Sequence, residues 1–280
     1  MDVLIVFSLD QSFPRIGFLM QRLIFLLGQW GLQQAALLND LMVLSFSTFK
    51  TLPLLVGRHH SVSRRIVWKQ VYFTGYESLK IIVPTALFLG TAIIVQVKGL
   101  LGSTNITMIG KILIWTILRE LGPLLTAIII VARSGAAVTA ELGTMEVNRE
   151  IKSLEVMGID PHEYLFLPRL LAFSLSCMVL TIYFEIVAIL GGFFVANLFM
   201  NVPFESFSQG LYSALRFQDV AVSLMKGLLF GGLMSLICIQ QGMSVGRVST
   251  MIPRASSRGV IYSLFAIFFL NGVISLAAFY

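Results

Sequence analysis

The sequence predicts an all-α integral membrane protein, and its composition, its apolar runs and its basic residues all lead to that class. Hydrophobic residues make up 57% of the 280-residue chain, charged residues make up 12%, and the mean hydropathy is +0.88. Water-soluble domains carry about 25% charged residues. A membrane-spanning helix needs about 20 mainly apolar residues, and the chain from residue 80 onward offers a series of such runs. We therefore expect about five transmembrane helices.

The apolar runs predict where these helices lie. The expected spans are 80–98, 110–132, 163–190, 220–240 and 261–279. The third run stays apolar as far as Met200, which is too long for one straight span. We therefore expect a break near Gly191-Gly192, with the remainder as an extension on the outer side.

The distribution of basic residues predicts the orientation, because loops rich in Lys and Arg stay in the cytoplasm. Six basic residues fall in 50–80, and three each fall in 133–162 and in 241–260. The loops on the opposite side contain Lys98, Lys111 and Arg216. With an odd number of spans, the N-terminus is expected inside and the C-terminus outside. The net charge of +6 is thus explained by topology and gives no reason to expect nucleic acid as a partner.

The first 60 residues are expected to form a segment separate from residues 61–280. Their stretch 16–57 is apolar enough to enter a membrane, but Arg22, Asp40 and Lys50 interrupt it. Such a pattern favours helices that lie in the cytoplasmic interface of the bilayer. A sixth span is the alternative.

Charged residues inside the apolar runs are candidates for a functional site. Arg119-Glu120 lies near the middle of the second span, and Glu185 and Lys226 lie in the third and fourth. An ionisable group at such depth is unfavourable unless it faces a polar cavity or a partner group. Gly122-Pro123 should weaken the helix beside the first pair and free a carbonyl group. The alternative is that these charges pair with one another and only hold the bundle together.

The connection after the second span predicts a short amphipathic helix over 144–157. Val147, Ile151 and Leu154 recur at helical spacing, with charged residues between them. Gly158 should end this helix, and Asp160-Pro161 followed by Glu163 should begin the next. The helix either covers the end of the bundle or docks a cytoplasmic partner.

The sequence lacks the motifs of a nucleotide hydrolase, a metalloenzyme or a nucleophilic hydrolase. His59-His60 is expected in a solvated loop, and Cys177 and Cys238 are expected to be packing residues. Two classes of protein remain. One is a permease subunit driven by a separate ATPase, and the other is a secondary transporter with intramembrane carboxylates as ion sites. Secondary transporters usually contain internal repeats, and none is evident in the sequence.

Several stretches of the chain resemble a known family. They are 118–123 (LRELGP), 132–145 (ARSGAAVTAELGTM), Glu150-Ile151, 154–161 (LEVMGIDP) and Pro168-Arg169. Together they closely resemble the MlaE (YrbE) family of ABC-transporter permeases, and the similarity runs through residues 70–280.

The resemblance implies a function and a set of partners. It implies a non-enzymatic permease subunit that moves phospholipids or related lipids between membranes. The family works as a homodimer with two copies of a cytoplasmic ATPase and an MCE-domain lipid-binding protein. ATP and Mg would then bind in the partner ATPase, and this chain would hold neither a cofactor nor a metal. The implied location is the bacterial inner membrane, with the chloroplast inner envelope as the alternative.

The resemblance also implies roles for particular residues. The expected ATPase-coupling residues are Glu141, Thr144, Glu146, Arg149, Glu150, Leu154, Glu155 and Gly158. The expected substrate-binding residues are Ile93, Gln96, Leu100, Arg119, Glu120, Leu121 and Lys226. One position departs from the family pattern, because Asn271 stands where some members have an acidic residue.

Overall fold

The computed structural model describes residues 61–101, 106–200 and 203–279, all within one unit of the chain, Ser47–Tyr280. The interfacial helices predicted for 16–57, and the sixth span that was their alternative, lie outside the described residues.

Among the described residues, five long apolar helices lie at the predicted spans. They are α1 (Ile66–Leu100), α2 (Thr107–Val147), α4 (His162–Phe199), α6 (Phe217–Met243) and α7 (Ser249–Ala278). Two short helices, α3 (Glu150–Val156) and α5 (Phe204–Ala214), lie between them. The described part of the chain contains helices and turns but no strand. It is an all-α integral membrane protein.

The expected break in the third span is wrong. α4 runs through Gly191-Gly192 as one helix of 38 residues, and its backbone widens there into a π-helical turn, Val187–Gly191. The glycines do not end the helix because they pack against α1. A Cβ atom on Gly192 would lie 2.6 Å from the carbonyl carbon of Gly90. At about 1.5 Å per residue, α4 is about 57 Å long, which exceeds a bilayer of about 40–45 Å.

α6 is the central helix of the described bundle. It packs against α4, α7 and α2, and 61% of its most apolar 18-residue stretch is buried. α7 is peripheral, because only 17% of its own most apolar stretch is buried. Its exposed apolar side chains include Phe265 and Phe269. The intramembrane charges of α6 are therefore enclosed, whereas the described residues leave one face of α7 exposed.

Small residues allow these helices to approach closely. A Cβ atom on Gly231 of α6 would lie 2.5 Å from the carbonyl oxygen of Phe173 in α4. A Cβ atom on Gly90 of α1 would lie 1.9 Å from the carbonyl oxygen of Ala188 in α4. Gly227 and Gly231, and likewise Ala188 and Gly192, are four residues apart in the sequence, and each pair contacts a neighbouring helix of the same chain.

Gly90→Ala should therefore destabilise the protein. The added methyl group meets backbone atoms that cannot rotate away, and overpacking of this kind typically costs about 1–3 kcal/mol. The matched control is Gly99→Ala in the same helix, because no neighbouring atom lies within 4 Å of its Cβ position. That change should be neutral or should stabilise the helix by up to about 1 kcal/mol. Thermal unfolding of both variants in detergent tests this, and equal melting temperatures would contradict it.

The amphipathic helix predicted for 144–157 is divided in the structure. Its first four residues complete α2, which ends at Val147, and α3 contains only Glu150–Val156. Arg149 between them has φ 59°, a left-handed conformation that interrupts an α-helix. Residue periodicity does not reveal a single left-handed residue, which is why the predicted helix was too long.

The expected end of this helix and the start of the next are confirmed. Gly158 has φ 77°, and its N–H donates to the carbonyl of Glu155 at 2.9 Å. Glycine adopts such a φ without strain. His162 follows Pro161, and its N–H donates to the carboxylate of Asp160 at 2.9 Å. α3 is thus held between two spans by a tight turn at each end.

Candidate functional site

The intramembrane charges meet where α2 leaves regular α-helical geometry. Residues Ile114–Leu121 form a π-helical segment, which Gly122-Pro123 follows directly. In an α-helix, the N–H of residue 123 would donate to the carbonyl of Arg119, and proline has no N–H. That carbonyl accepts from Nζ of Lys226 at 2.6 Å instead. The carbonyl that loses its α-helical partner at Pro123 therefore binds a charged side chain.

Glu120 is the acceptor at the centre of this site. Its Oε2 accepts from Nδ2 of Asn271 at 2.7 Å, and its Oε1 accepts from Oγ of Ser275 at 2.6 Å. Nζ of Lys226 lies 3.4 Å from the same Oε1. The side chain remains 39% exposed. Glu120 is thus held by α6 and α7 while part of its carboxyl side chain stays accessible.

Lys226 is completely enclosed by these groups. Its side chain has 0% exposure, and Nζ donates to Oγ of Ser275 at 2.7 Å in addition to the carbonyl of Arg119. A buried ammonium group requires partners of this kind. Lys226 therefore joins α6 to α2 and α7, and the accessible charge at this point belongs to Glu120.

Arg119 points to a second acidic group, Asp219. Its Nε lies 2.9 Å from Oδ1 of Asp219, whose side chain is 1% exposed, whereas that of Arg119 is 23% exposed. The guanidinium also lies 5.9 Å from the ring centre of Trp115, within range of a cation–π contact. The Arg119–Asp219 pair fixes the first turn of α6 against the π-helical segment of α2.

Asp219→Asn should weaken the fold through this pair. Breaking a buried ion pair costs about 3–5 kcal/mol, and the partial exposure of Arg119 should reduce the loss to about 2 kcal/mol. Glu205→Gln is the control, because Glu205 is an exposed acid at the start of α5. Chemical unfolding in detergent should separate the two variants, and an unchanged midpoint for Asp219→Asn would refute the structural role of the pair.

Glu185 lies beside the site but takes part in packing. Its side chain is buried and accepts a hydrogen bond from Oγ of Ser223. A Cβ atom on Gly122 would lie 2.9 Å from its Cγ. These contacts tie α4 to α6 and α2, and the hydrogen bond comes from an uncharged hydroxyl group, whereas the alternative interpretation expected a pair of charges.

The remaining substrate-binding candidates are Leu121 and three residues of α1. Leu121 follows Glu120 and is half-buried. Ile93, Gln96 and Leu100 are on α1, where Leu100 is 86% exposed. Among the described residues, no hydrogen bond or ion pair joins these α1 residues to Glu120. Their predicted role on a cavity wall stays a prediction.

The coupling candidates surround the turn between α2 and α4. Glu141 and Thr144 lie in the last turns of α2, and Oε1 of Glu141 pairs with Nη2 of Arg169 in α4 at 3.0 Å. Ile151 is buried, so α3 rests on the bundle. Of the other coupling candidates, Glu146 lies at the end of α2. The rest belong to α3 and its flanking turns, and they are Arg149, Glu150, Leu154, Glu155 and Gly158.

Sequence reasoning missed Asp219, Ser223 and Ser275. Asp219 lies one residue before the predicted start of the fourth span, so the predicted span does not include it. An acid at the first turn of an apolar helix was the signal that could have revealed it. Ser223 and Ser275 carry no charge and gave no signal. Among the described residues, no group of three or more His, Cys, Asp and Glu could hold a metal ion.

Five spans in the described residues and a polar cluster inside the bundle are features of a multi-pass membrane protein with a candidate functional site at membrane depth. The chain matches the Permease MlaE family over residues 67–277, which is most of its length, and it therefore belongs to that family. The resemblance inferred from the sequence motifs is confirmed.

The relatives agree with this assignment. The chain is 32% identical to a probable ABC transporter permease protein of Synechocystis over 80% of its own length and 84% of the relative. It is 27% identical to a probable ABC transporter permease protein of Rickettsia typhi over 75% of its own length and 82% of the relative. It is 29% identical to the chloroplastic protein TRIGALACTOSYLDIACYLGLYCEROL 1 of Arabidopsis thaliana, over 80% of this chain and 63% of that protein. These similarities favour a permease over a secondary transporter.

Proposed function

We propose that this chain is the permease subunit of an ABC transporter that moves phospholipids or related lipids between membranes. The observation that carries the proposal is the polar cluster around Glu120, which lies inside an apolar bundle and keeps 39% of the Glu120 side chain exposed. A charged group at membrane depth indicates a functional site when it faces a cavity or a substrate.

The exposed edge of the cluster suits the headgroup end of a lipid. Arg119 is 23% exposed and offers positive charge for a phosphate, and Glu120 beside it would repel the phosphate and so favour release. Lys226 has no exposed surface. We therefore propose that Lys226 positions Glu120 and the carbonyl of Arg119, and that it contacts a headgroup only if the cluster opens.

The lipid cargo is supported by one relative. The name of the Arabidopsis thaliana protein contains that of a lipid, trigalactosyldiacylglycerol. The greater part of the described surface of α1 and α7 is apolar, with Leu100 and Phe269 among the exposed side chains. Such surfaces can contact the acyl chains of a lipid, whereas the polar cluster can bind its headgroup.

The surface around α3 is the proposed docking element for a separate ATPase. Glu150, Lys152 and Glu155 are exposed there. Val156 and Met157 are also exposed, at 82% and 64%, at the end of α3. An exposed apolar pair beside charged side chains is typical of a protein contact. In this proposal ATP and Mg bind to the partner, which performs the hydrolysis.

We further propose a homodimer that contacts an MCE-domain lipid-binding protein on its outer side. The apolar face of α7 that the described residues leave exposed, which includes Phe265 and Phe269, supports a second copy as a neighbour. The N-terminus would lie in the cytoplasm, because the basic loops favour that side. The proposed location is the bacterial inner membrane, with the chloroplast inner envelope as the alternative.

Purification from native membranes tests this function directly. The chain should copurify with an ABC ATPase and an MCE-domain protein, and mass spectrometry should find bound phospholipid. Photocrosslinkers placed at Ile93 and Glu120 should capture lipid, whereas one placed at Glu205 serves as an exposed control outside the cluster. Absence of an ATPase from the complex, or equal lipid capture at all three positions, would refute the proposal.

A further inference from the structure

The connection between α6 and α7 carries a patch of positive charge. Arg247 lies in the turn itself, Arg254 and Arg258 lie near the start of α7, and all three side chains are exposed. Residues 244–258 contain no Asp or Glu. Among the described residues, none of the three arginines forms an ion pair with an acidic side chain. We call these three arginines the basic patch.

The basic patch is unfavourable for α7 itself. The α-helical part of α7 begins at Ile252 and has no acidic residue in its first turn. The N-terminal end of a helix carries partial positive charge, so basic residues there destabilise it. Arg254 and Arg258 are four residues apart, so their like charges share one face and repel each other. Topology requires basic residues on this side of the membrane, but it does not require them at this place on the folded surface.

The turn that carries the patch is packed against the end of α2. Val245 is 7% exposed, and a Cβ atom on Gly143 of α2 would lie 2.9 Å from its Cγ2 and 3.5 Å from Cγ1 of Ile252. Gly246, with φ 68°, reverses the chain beside this contact. α2 ends four residues after Gly143, about 6 Å further along the helix, and α3 follows. The basic patch and α3 therefore lie at the same end of the bundle.

α3 alone is too small for a stable contact with another protein. Its seven residues span about 11 Å, whereas a standard interface covers about 800 Å² of each partner, a patch about 30 Å across. A partner that binds α3 must therefore also cover neighbouring surface. The turn after α6 offers such surface, because Val248 and Met251 are 52% and 42% exposed beside the arginines.

We propose that the basic patch is a second docking surface for the ATPase, and that it binds an acidic surface of that protein. This inference rests on the proposed function, which places the ATPase on α3. Residues 144–163, which include α3, contain five acidic and two basic residues. The same end of the bundle thus presents two neighbouring surfaces of opposite charge. Such a pattern speeds association and fixes the orientation of the partner.

Binding of a purified ATPase tests the basic patch. The ATPase that copurifies with this chain is expressed separately, and its affinity for the full chain in detergent is measured at several salt concentrations. Arg254→Glu combined with Arg258→Glu should weaken binding about tenfold at low salt. The loss should shrink as salt rises, because salt screens exposed charges. Arg254→Lys combined with Arg258→Lys should keep most of the affinity. Thermal unfolding should show no loss of stability in the glutamate variant, because acids suit the start of a helix.

Arg216→Glu is the matched control for the single change Arg254→Glu. Arg216 is exposed and directly precedes α6, whereas the basic patch follows it. The 27 residues of α6 separate the two positions by about 40 Å. Both variants change the net charge equally. Arg254→Glu should weaken binding about threefold at low salt, whereas Arg216→Glu should leave the affinity unchanged.

The possible failures are distinguishable from one another. If the double glutamate variant binds the ATPase normally while charge reversal on α3 still releases it, the basic patch is not a docking surface and the proposed function stands. If the wild-type chain binds no ATPase, the proposed function fails and the basic patch fails with it. Normal ATPase binding together with reduced retention of phosphatidylglycerol would assign the patch to anionic lipid. Equal loss of binding in Arg216→Glu would show a nonspecific effect of charge and would also overturn the proposal.

Discussion

Replacement of Glu120 with alanine should reduce lipid transport at least tenfold while the protein still folds and assembles. Glu120 is the accessible acidic group of the cluster, at 39% exposure, so its removal changes the site that faces the substrate. A tenfold loss corresponds to about 1.4 kcal/mol, which is less than the loss of one desolvated charged contact, about 2–5 kcal/mol. Lys226 keeps its hydrogen bonds to the carbonyl of Arg119 and to Ser275.

Lys226→Met provides the contrast. Lys226 is fully buried and joins three helices, so its loss should lower stability as well as transport, by about 3–5 kcal/mol if the pair with Glu120 is broken. Transport in proteoliposomes and thermal unfolding in detergent measure the two effects separately. Wild-type transport by Glu120→Ala, or equal destabilisation by both changes, would show that the cluster only holds the bundle.

Charge reversal on the surface of α3 should separate the permease from its ATPase. The triple change of Glu146, Glu150 and Glu155 to lysine alters exposed or half-exposed side chains, so the free energy of unfolding should change little. A charged contact that becomes desolvated at an interface contributes about 2–5 kcal/mol when one partner is removed. We therefore expect retention of the ATPase in a pull-down to fall at least tenfold.

Glu205→Lys is the control for this experiment. Glu205 is an exposed acid at the start of α5, in the connection between α4 and α6. Its reversal changes the net charge in the same sense but leaves α3 intact. Retained ATPase and normal transport in the triple variant would refute the docking role of α3. Loss of ATPase binding in the control as well would indicate a nonspecific effect of charge.

The spans could be predicted because hydropathy and length act locally along the chain. All five appeared at the expected places, although the helices extend beyond the apolar core that the runs define. The continuity of α4 at Gly191-Gly192 could not be predicted. It depends on contact with Gly90 of α1, about a hundred residues earlier, and a local pattern contains no such information.

The site was predictable in its members but not in its geometry. Glu120 and Lys226 were identified as intramembrane charges, yet they are 106 residues apart and their pairing depends on how α2 packs against α6. Gly122-Pro123 pointed to the Arg119 carbonyl that accepts from Lys226, because the missing N–H of proline is a local property. Asn271 departs from the acidic residue of some family members, and the structure reveals its contact as a donor to Glu120.

The most direct test of the proposed function is lipid transfer by the reconstituted complex. Proteoliposomes that contain this chain with its ATPase and its MCE-domain partner are mixed with acceptor vesicles, and movement of a fluorescent phospholipid is followed. We expect transfer that requires ATP hydrolysis and that stops when the ATPase is omitted or Glu120→Ala is present. Two results would contradict the proposed function. One is equal transfer by the purified chain without any ATPase, and the other is ATP-driven transfer at the same rate with and without Glu120→Ala.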